Sequence, residues 1–312
     1  MTEKKDFRTS IGGQALIEGI MMRGPKKQAV VVRTKDGIES KVDDLKLLKD
    51  RYPVVGWPLI RGVVNFGGSM INGVRALMYS ASLTPEEEAE PESKFDKWVT
   101  EKLGSEKAEG VIVTITVVLG IALSIGLFML LPTFLAGFVT KFVDSAILKN
   151  LIEGVLRIVI FVAYIALTSR IPDMRRVWQY HGAEHKTIFC YERGLPLTVE
   201  NVREMPRKHP RCGTSFMFIV MIVSILVFSL ARWHTVWARM GLRLLLLPVV
   251  VAVSYEIIKW AGRHDNWLTR IVSAPGRALQ NLTTREPDDE MIEVAIESIR
   301  LVLPEEEGAD AW

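Results

Sequence analysis

Hydrophobic positions in this chain gather into long blocks. From Val111 to Thr140 there are 30 consecutive residues without a charge. A helix needs about 20 such residues to cross a bilayer core, so the block predicts a transmembrane helix. A second run, Gly213 to Ala231, has 19 uncharged residues between Arg211 and Arg232 and predicts another. Two shorter runs, Ile158 to Ser169 and Leu244 to Tyr255, have 12 each. They read as spans if the flanking Arg157, Arg170, Arg243, Glu256 and Lys259 snorkel or pair, and as buried or re-entrant helices otherwise.

Outside these blocks the pattern changes. Gln28 to Thr34 is β-branched, Lys35-Asp36-Gly37 is a turn signal, and Ile38 to Val42 follows, which predicts a β-hairpin. A small β-containing unit is therefore expected over about residues 10–50. Pro53 to Ala81 is apolar but broken by Arg61, Arg75 and five glycines. It reads as an interfacial or re-entrant helix packed on the bundle, or as a soluble amphipathic helix. Thr84 to Glu92 is an acidic, Pro-containing linker. Near the C-terminus, Pro287 and Asp288 start a helix on which Ile292, Ala295, Ile296, Ile299 and Val302 share one face. The expected fold is mainly α: a polytopic membrane helix bundle of about four transmembrane helices with a small β-containing cytoplasmic N-terminal unit. Four regions follow: a β-containing unit (1–52), an interfacial helix and linker (53–110), a bundle (111–262) enclosing a loop (170–212), and a C-terminal segment (263–312).

Composition narrows the class further. The 312 residues are 49% hydrophobic with a mean hydropathy of +0.20, high for a soluble protein. Two cysteines, Cys190 and Cys212, are too few for a disulfide scaffold. A net charge of +3 offers no polycationic surface, so nucleic acid is not an expected partner. No apolar stretch follows the charged N-terminus, so no cleavable secretory signal is expected; the N-terminus is placed in the cytoplasm, and four spans return the C-terminus to the same side of a bacterial inner membrane. With four spans, Lys and Arg number 16 in the inner flanks and three in each outer loop, a bias of the expected sign. Both cysteines then lie on the inner side as free thiols. Arg175, Arg176, Arg207, Lys208 and Arg211 suit contact with anionic lipid headgroups, or an acidic substrate. Lys149, Glu153 and Arg157 recur at helical spacing as an ion-pair ladder, and Trp233, Trp237, Trp260 and Trp267 read as interface anchors.

The chemistry lies in the loop. His181-Gly182-Ala183-Glu184-His185 is H-x-x-E-H, the order of the inverted zincin motif. On a helix, residues four apart share a face, so both imidazoles reach one ion while Glu184 serves as general base. Gly182 weakens the helix that this geometry needs. His209-Pro210-Arg211-Cys212 adds an H-x-x-C pair just before the Gly213 run. Zinc accepts His, Cys and carboxylate ligands, so Cys212, His209, Glu256 or His264 could complete the shell. Four protein ligands would make the zinc structural; three would leave an open position. The expected function is zinc-dependent hydrolysis at the cytoplasmic face; the alternative is a non-catalytic membrane assembly or interaction factor with a structural metal or none. Transport fits less well, because the spans carry few internal charges.

Several long motifs also carry a resemblance: Gly12 to Pro25 (GGQALIEGIMMRGP), Tyr180 to Lys186 (YHGAEHK), His209 to Ser215 (HPRCGTS) and Leu282 to Asp289 (LTTREPDD). Across about residues 10–300 the chain resembles the bacterial YqhQ family, whose label is predicted metal-dependent enzyme. The resemblance implies motif roles for His181, Glu184, His185, His209 and Cys212, and for Glu18 and Arg23. The last two form a polar pair that either lines a site or ties down the turn at Gly24-Pro25, the second being preferred.

Overall fold

A computed structural model describes residues 7–45, 48–83, 98, 100–102, 104–139, 141, 143–229, 236–264, 266–306 and 308–311. The chain divides into two compact units, one of Met1–Thr84 with Ile165–Trp312 and the other of Pro85–Tyr164. The first thus joins the β-containing N-terminus, the end of the bundle and the C-terminal helix.

Its centre is an antiparallel meander, β1 (Gly12–Leu16), β2 (Gly19–Arg23), β3 (Lys27–Thr34) and β4 (Gly37–Asp44). The expected hairpin is β3–β4, closed by Lys35-Asp36 with Thr34 opposite Gly37; Gly37 has φ +131°, which suits glycine. The sheet extends further back than periodicity predicts, because the Gly12–Pro25 motif forms β1 and β2. Both faces of β2 and β3 are covered. Ile20, Met22, Ala29 and Val31 pack on one side with Tyr180, Ala183, Met291, Ala295 and Ile299. Leu16, Met21, Val30 and Val32 pack on the other with Ala76. Each buried Leu, Ile, Val or Met among them contributes about 1.5–3 kcal/mol. β4 is exposed throughout and charged at Glu39, Lys41, Asp43 and Asp44, which discourages pairing at that edge.

The helices of this unit follow a short turn, α1 (Leu48–Arg51). The segment of ambiguous character is one 24-residue helix, α2 (Ile60–Leu83). Gly62 lets it approach Tyr255 and Ala252, Gly73 meets Gln14 and Ala76 meets the sheet. Val63, Phe66, Met70, Val74 and Leu77 remain exposed along it, an apolar stripe of the kind interfacial helices carry. The supposed loop after residue 170 is mostly helix: α6 (Pro172–Glu192), α7 (Val199–Arg203) and then α8 (Gly213–Ser229). The chain continues through α9 (Val236–Arg263), α10 (Trp267–Thr283) and α11 (Asp289–Arg300). In α11, Asp288 caps the first turn and Ile292, Ala295, Ile296 and Ile299 are buried, as their spacing predicts.

The second unit holds α3 (Ser105–Ile125), a π turn (Gly126–Leu130), α4 (Leu131–Val139) and most of α5 (Ala146–Thr168). Within it Glu153 pairs with Arg157 at 3.3 Å and accepts from Thr133 at 2.7 Å, while Arg157 donates to the Phe128 carbonyl. Lys149 is not part of that pairing among the interactions described.

Among the described residues three stretches are long and apolar enough to cross a membrane: Thr114–Val139, Ile147–Thr168 and Gly241–Arg263. The two 12-residue runs therefore belong to longer helices, because Glu153, Arg157 and Glu256 are paired and need not terminate them. The run expected as a second full span is a 17-residue helix, α8, within the described residues. Trp233 lies outside those residues, as does the Trp237 side chain, while Trp260 and Trp267 are exposed.

Candidate metal centre

Helix α6 carries the H-x-x-E-H segment. Pro172 stands in its first turn with Asp173, and it ends at Gly194, φ +64°. There the Gly194 and Leu195 amides donate to the Tyr191 and Cys190 carbonyls, the bonding of a Schellman stop. Gly182 does not break the helix, and its missing side chain has a use: a Cβ there would collide with the Arg285 carbonyl oxygen. Arg285 is held by its own amide, which donates to the Trp178 carbonyl at 2.8 Å. The 282–289 motif thereby lies directly on the HGAEH turn.

His181 and His185 face inward from α6, and Cys212 meets them from the residue before α8. Their ligand atoms lie within 4.8 Å of one another, and all three side chains are buried. The Nδ1 of His181 donates to the Thr283 carbonyl at 2.7 Å, and that of His185 to the Arg207 carbonyl at 2.6 Å. With Nδ1 committed to backbone oxygens, each Nε2 points into the cluster as the available ligand atom, the outer-sphere arrangement of metal-binding histidines. His181 Nε2 is 3.1 Å from Cys212 Sγ. His185 Nε2 is buried without a hydrogen bond of normal geometry, an orphan that a cation would satisfy. The donor set of two imidazoles and a thiol fits a metal ion of the zinc class.

The electrostatics agree. Burial opposes ionisation of Cys212, but His181 and His185 outweigh it and hold the thiol well below its ordinary value. Thr214 also donates to Sγ from its hydroxyl at 3.3 Å. Burial likewise opposes charge on His181, yet Cys212 raises it to about 9. Each thereby favours the charged form of the other. Glu184 is 5% exposed, and burial raises its pKa against the pull of both histidines. Its Oε1 accepts from the Gly13 amide of β1 at 2.9 Å.

The other expected ligands are placed differently. His209 lies with its ring 5.6 Å from that of His185, tilted by 37°, but turns its Nε2 to Glu192 at 3.5 Å, and its Nδ1 accepts from the Arg211 amide at 3.3 Å. Its backbone is fixed by a reciprocal pair with the buried Gln280 amide, 2.8 Å each way. Glu256 is held by both Arg61 Nε and Nη2, so its carboxylate is already satisfied outside the cluster. His264 donates to the Trp260 carbonyl, and the adjacent Asp265 lies outside the described residues.

Glu18 sits in the β1–β2 turn at φ +50°, not at Gly24-Pro25. It binds Arg176 through two nitrogens and accepts from the Tyr180 hydroxyl at 3.2 Å, fastening the sheet to α6 one residue before His181. Three residues of the basic loop are also engaged within the fold: Arg176 by Glu18, Arg207 by Glu286 and Arg211 by Glu192. What the spacing could not reveal are the backbone contributors, Gly13, Arg207 and Thr283. The first and last of these fall within the long motifs, which is the one signal the sequence offers for them.

This arrangement can be set beside known proteins. No solved structure matches the chain. The family described as "Protein of unknown function (DUF1385)" matches residues 57–305. The chain is also 35% identical over 300 residues to the "Uncharacterized protein YqhQ" of Bacillus subtilis (strain 168), covering 94% of this chain and 92% of that one. With both matches running through the sheet-bound helix α6 and the triad, the chain belongs to the DUF1385 family, the YqhQ family that its motifs resemble.

Proposed function

We propose that this protein is a zinc-dependent hydrolase of the bacterial inner membrane, its centre and both termini at the cytoplasmic face. The observation that carries the reading is the buried His185 Nε2, which has no hydrogen bond of normal geometry and converges with His181 and Cys212 beside a buried carboxyl group. Zinc in a three-ligand site supplies Lewis acidity and lowers the pKa of water towards about 7.

The chain's own residues do the rest. Thr283 and Arg207 carbonyls fix the imidazole tautomers, and Glu18 with Tyr180 and Arg176 sets the pitch of α6. Glu184 Oε1 is anchored by the Gly13 amide, which leaves Oε2 to take and return the proton. Burial raises the pKa of that carboxyl above its ordinary value, the direction that favours a proton-transfer group.

Metal analysis of the detergent-purified protein tests this. About one zinc per chain is expected, lost in His185→Ala and kept in Glu184→Gln, with hydrolysis of an ester, phosphodiester or peptide panel present in the wild type and abolished in Glu184→Gln. Absence of metal after zinc loading refutes the centre. Burial of all three ligands favours one second reading, a structural clip between α6 and α8 in a non-catalytic assembly factor. It predicts full biological function in Glu184→Gln.

A further inference from the structure

Pro210 and Arg211, which lead into Cys212, also form a wall of a cleft of about 580 Å³. Arginines come to it from four parts of the chain: Arg8 before β1, Arg193 at the end of α6, Arg211, and Arg270 with Arg277 on α10. Among the described residues Glu192 is the one carboxylate in the lining, and Arg211 binds it. Among the described lining residues guanidiniums outnumber carboxylates five to one. Such a cleft focuses a positive field and draws in anions.

Its placement is equally informative. Arg211 stands two residues before α8, and Gly262 and His264 of the lining stand at the end of α9. The cleft thus lies at the ends of two apolar helices. On α10, Trp267 is 72% exposed, with Leu268 and Ile271 exposed beside it, on the face next to Arg270 and Arg277. Exposed Trp260 sits one residue before the lining. Aromatic and aliphatic side chains flanking arginines are what a helix presents at headgroup depth. Guanidinium forks match phosphate oxygens bidentately. The cleft volume is in the range of about 300–1,000 Å³ that holds small organic ligands, larger than a bare ion requires.

We propose that this arginine cleft binds the phosphate of an anionic ester, either the headgroup of a membrane phospholipid or a soluble phosphate ester. The proposal stands on the cleft and the helix ends and does not depend on the metal centre or on catalysis.

The test uses the full chain in neutral detergent. Retention of phosphatidylglycerol and phosphatidylcholine is read by native mass spectrometry, and binding of inorganic phosphate and glycerol 3-phosphate by calorimetry. A headgroup site retains phosphatidylglycerol over phosphatidylcholine, and Arg193→Gln/Arg277→Gln weakens this at least about tenfold, the loss of two charge-assisted contacts. Lys26→Gln/Lys35→Gln, which removes the same charge from the sheet turns, leaves it within about twofold. Arg193→Lys/Arg277→Lys, retaining charge without the fork, falls between. Binding of glycerol 3-phosphate with no lipid preference, and the same variant pattern, identifies a soluble ester. Equal loss in the arginine and lysine variants overturns the proposal. So does a wild type that neither prefers phosphatidylglycerol nor binds either phosphate, a result that needs no variant to fold.

Discussion

Replacing Gly182 with alanine separates helix propensity from tertiary packing. In an exposed helix interior the change would stabilise by about 1 kcal/mol. Here the new Cβ would overlap the Arg285 carbonyl oxygen, and that strand of chain cannot yield freely. Its amide is bonded to Trp178, the neighbouring Thr283 carbonyl holds His181, and Lys186 holds Glu286 at 2.8 Å. Forcing backbone apart in a packed core costs about 3 kcal/mol at the upper end of the usual range. The net is a destabilisation of about 2 kcal/mol, or a fall in Tm of about 4–8 °C for a domain of this size class. Thermal unfolding of wild type and Gly182→Ala in the same detergent measures it. The shift also loosens the Thr283 anchor, so zinc affinity is expected to fall about 10-fold or more. A variant as stable as wild type, with unchanged zinc affinity, would refute the account of why glycine stands inside this helix.

Other outcomes follow from the same geometry. Cys212→Ala is expected to lose bound metal as His185→Ala does, since the thiol is one of three converging donors; full retention by atomic absorption would remove it from the shell. Glu256→Gln is expected to keep the metal, because its carboxylate serves Arg61. Metal lost from that variant alone would place Glu256 among the ligands after all. Burial holds His209 below its ordinary pKa, against the pull of Glu192, so it folds neutral while the unfolded chain takes up a proton near pH 6.5. Stability from this site is constant above pH 6.5 and falls as pH drops towards the folded value, by up to about 1.4 kcal/mol per unit. Denaturation across pH 5–8 should show a shallower acid slope in His209→Gln, and an unchanged slope would contradict the burial. Gly13→Val brings side-chain bulk against the Met21 carbonyl at 2.7 Å and Glu184 Cδ at 3.1 Å. It should reduce hydrolysis far more than metal content, and equal losses would deny Gly13 a role in orienting Glu184.

The sequence by itself determined the elements whose signal is local. Thirty uncharged residues can only be accommodated in apolar surroundings, β-branched runs around a turn signal pair as β3 and β4, and a capped amphipathic stretch forms α11. The HxxEH spacing fixed which side chains share a helix face, and it named His181, His185 and Glu184 before any coordinates. It could not rank Cys212, His209, Glu256 and His264 as the next ligand, because that choice depends on what else each group touches. Tertiary structure places the four differently: Arg61 takes Glu256, Glu192 faces His209, and Cys212 lies with both imidazoles in a group that could hold a metal. The same reason hid the Gly13 amide and the Thr283 and Arg207 carbonyls, since backbone groups carry no side-chain signature. Gly182 shows the conflict most plainly, for local propensity counts it as a helix breaker while the close approach of Arg285 requires it. The arginine cleft belongs wholly to the second kind of information, its charges lying as far apart as Arg8 and Arg277 in the chain. Periodicity reports on contacts within about two helical turns, and only long-range packing brings such residues to one wall.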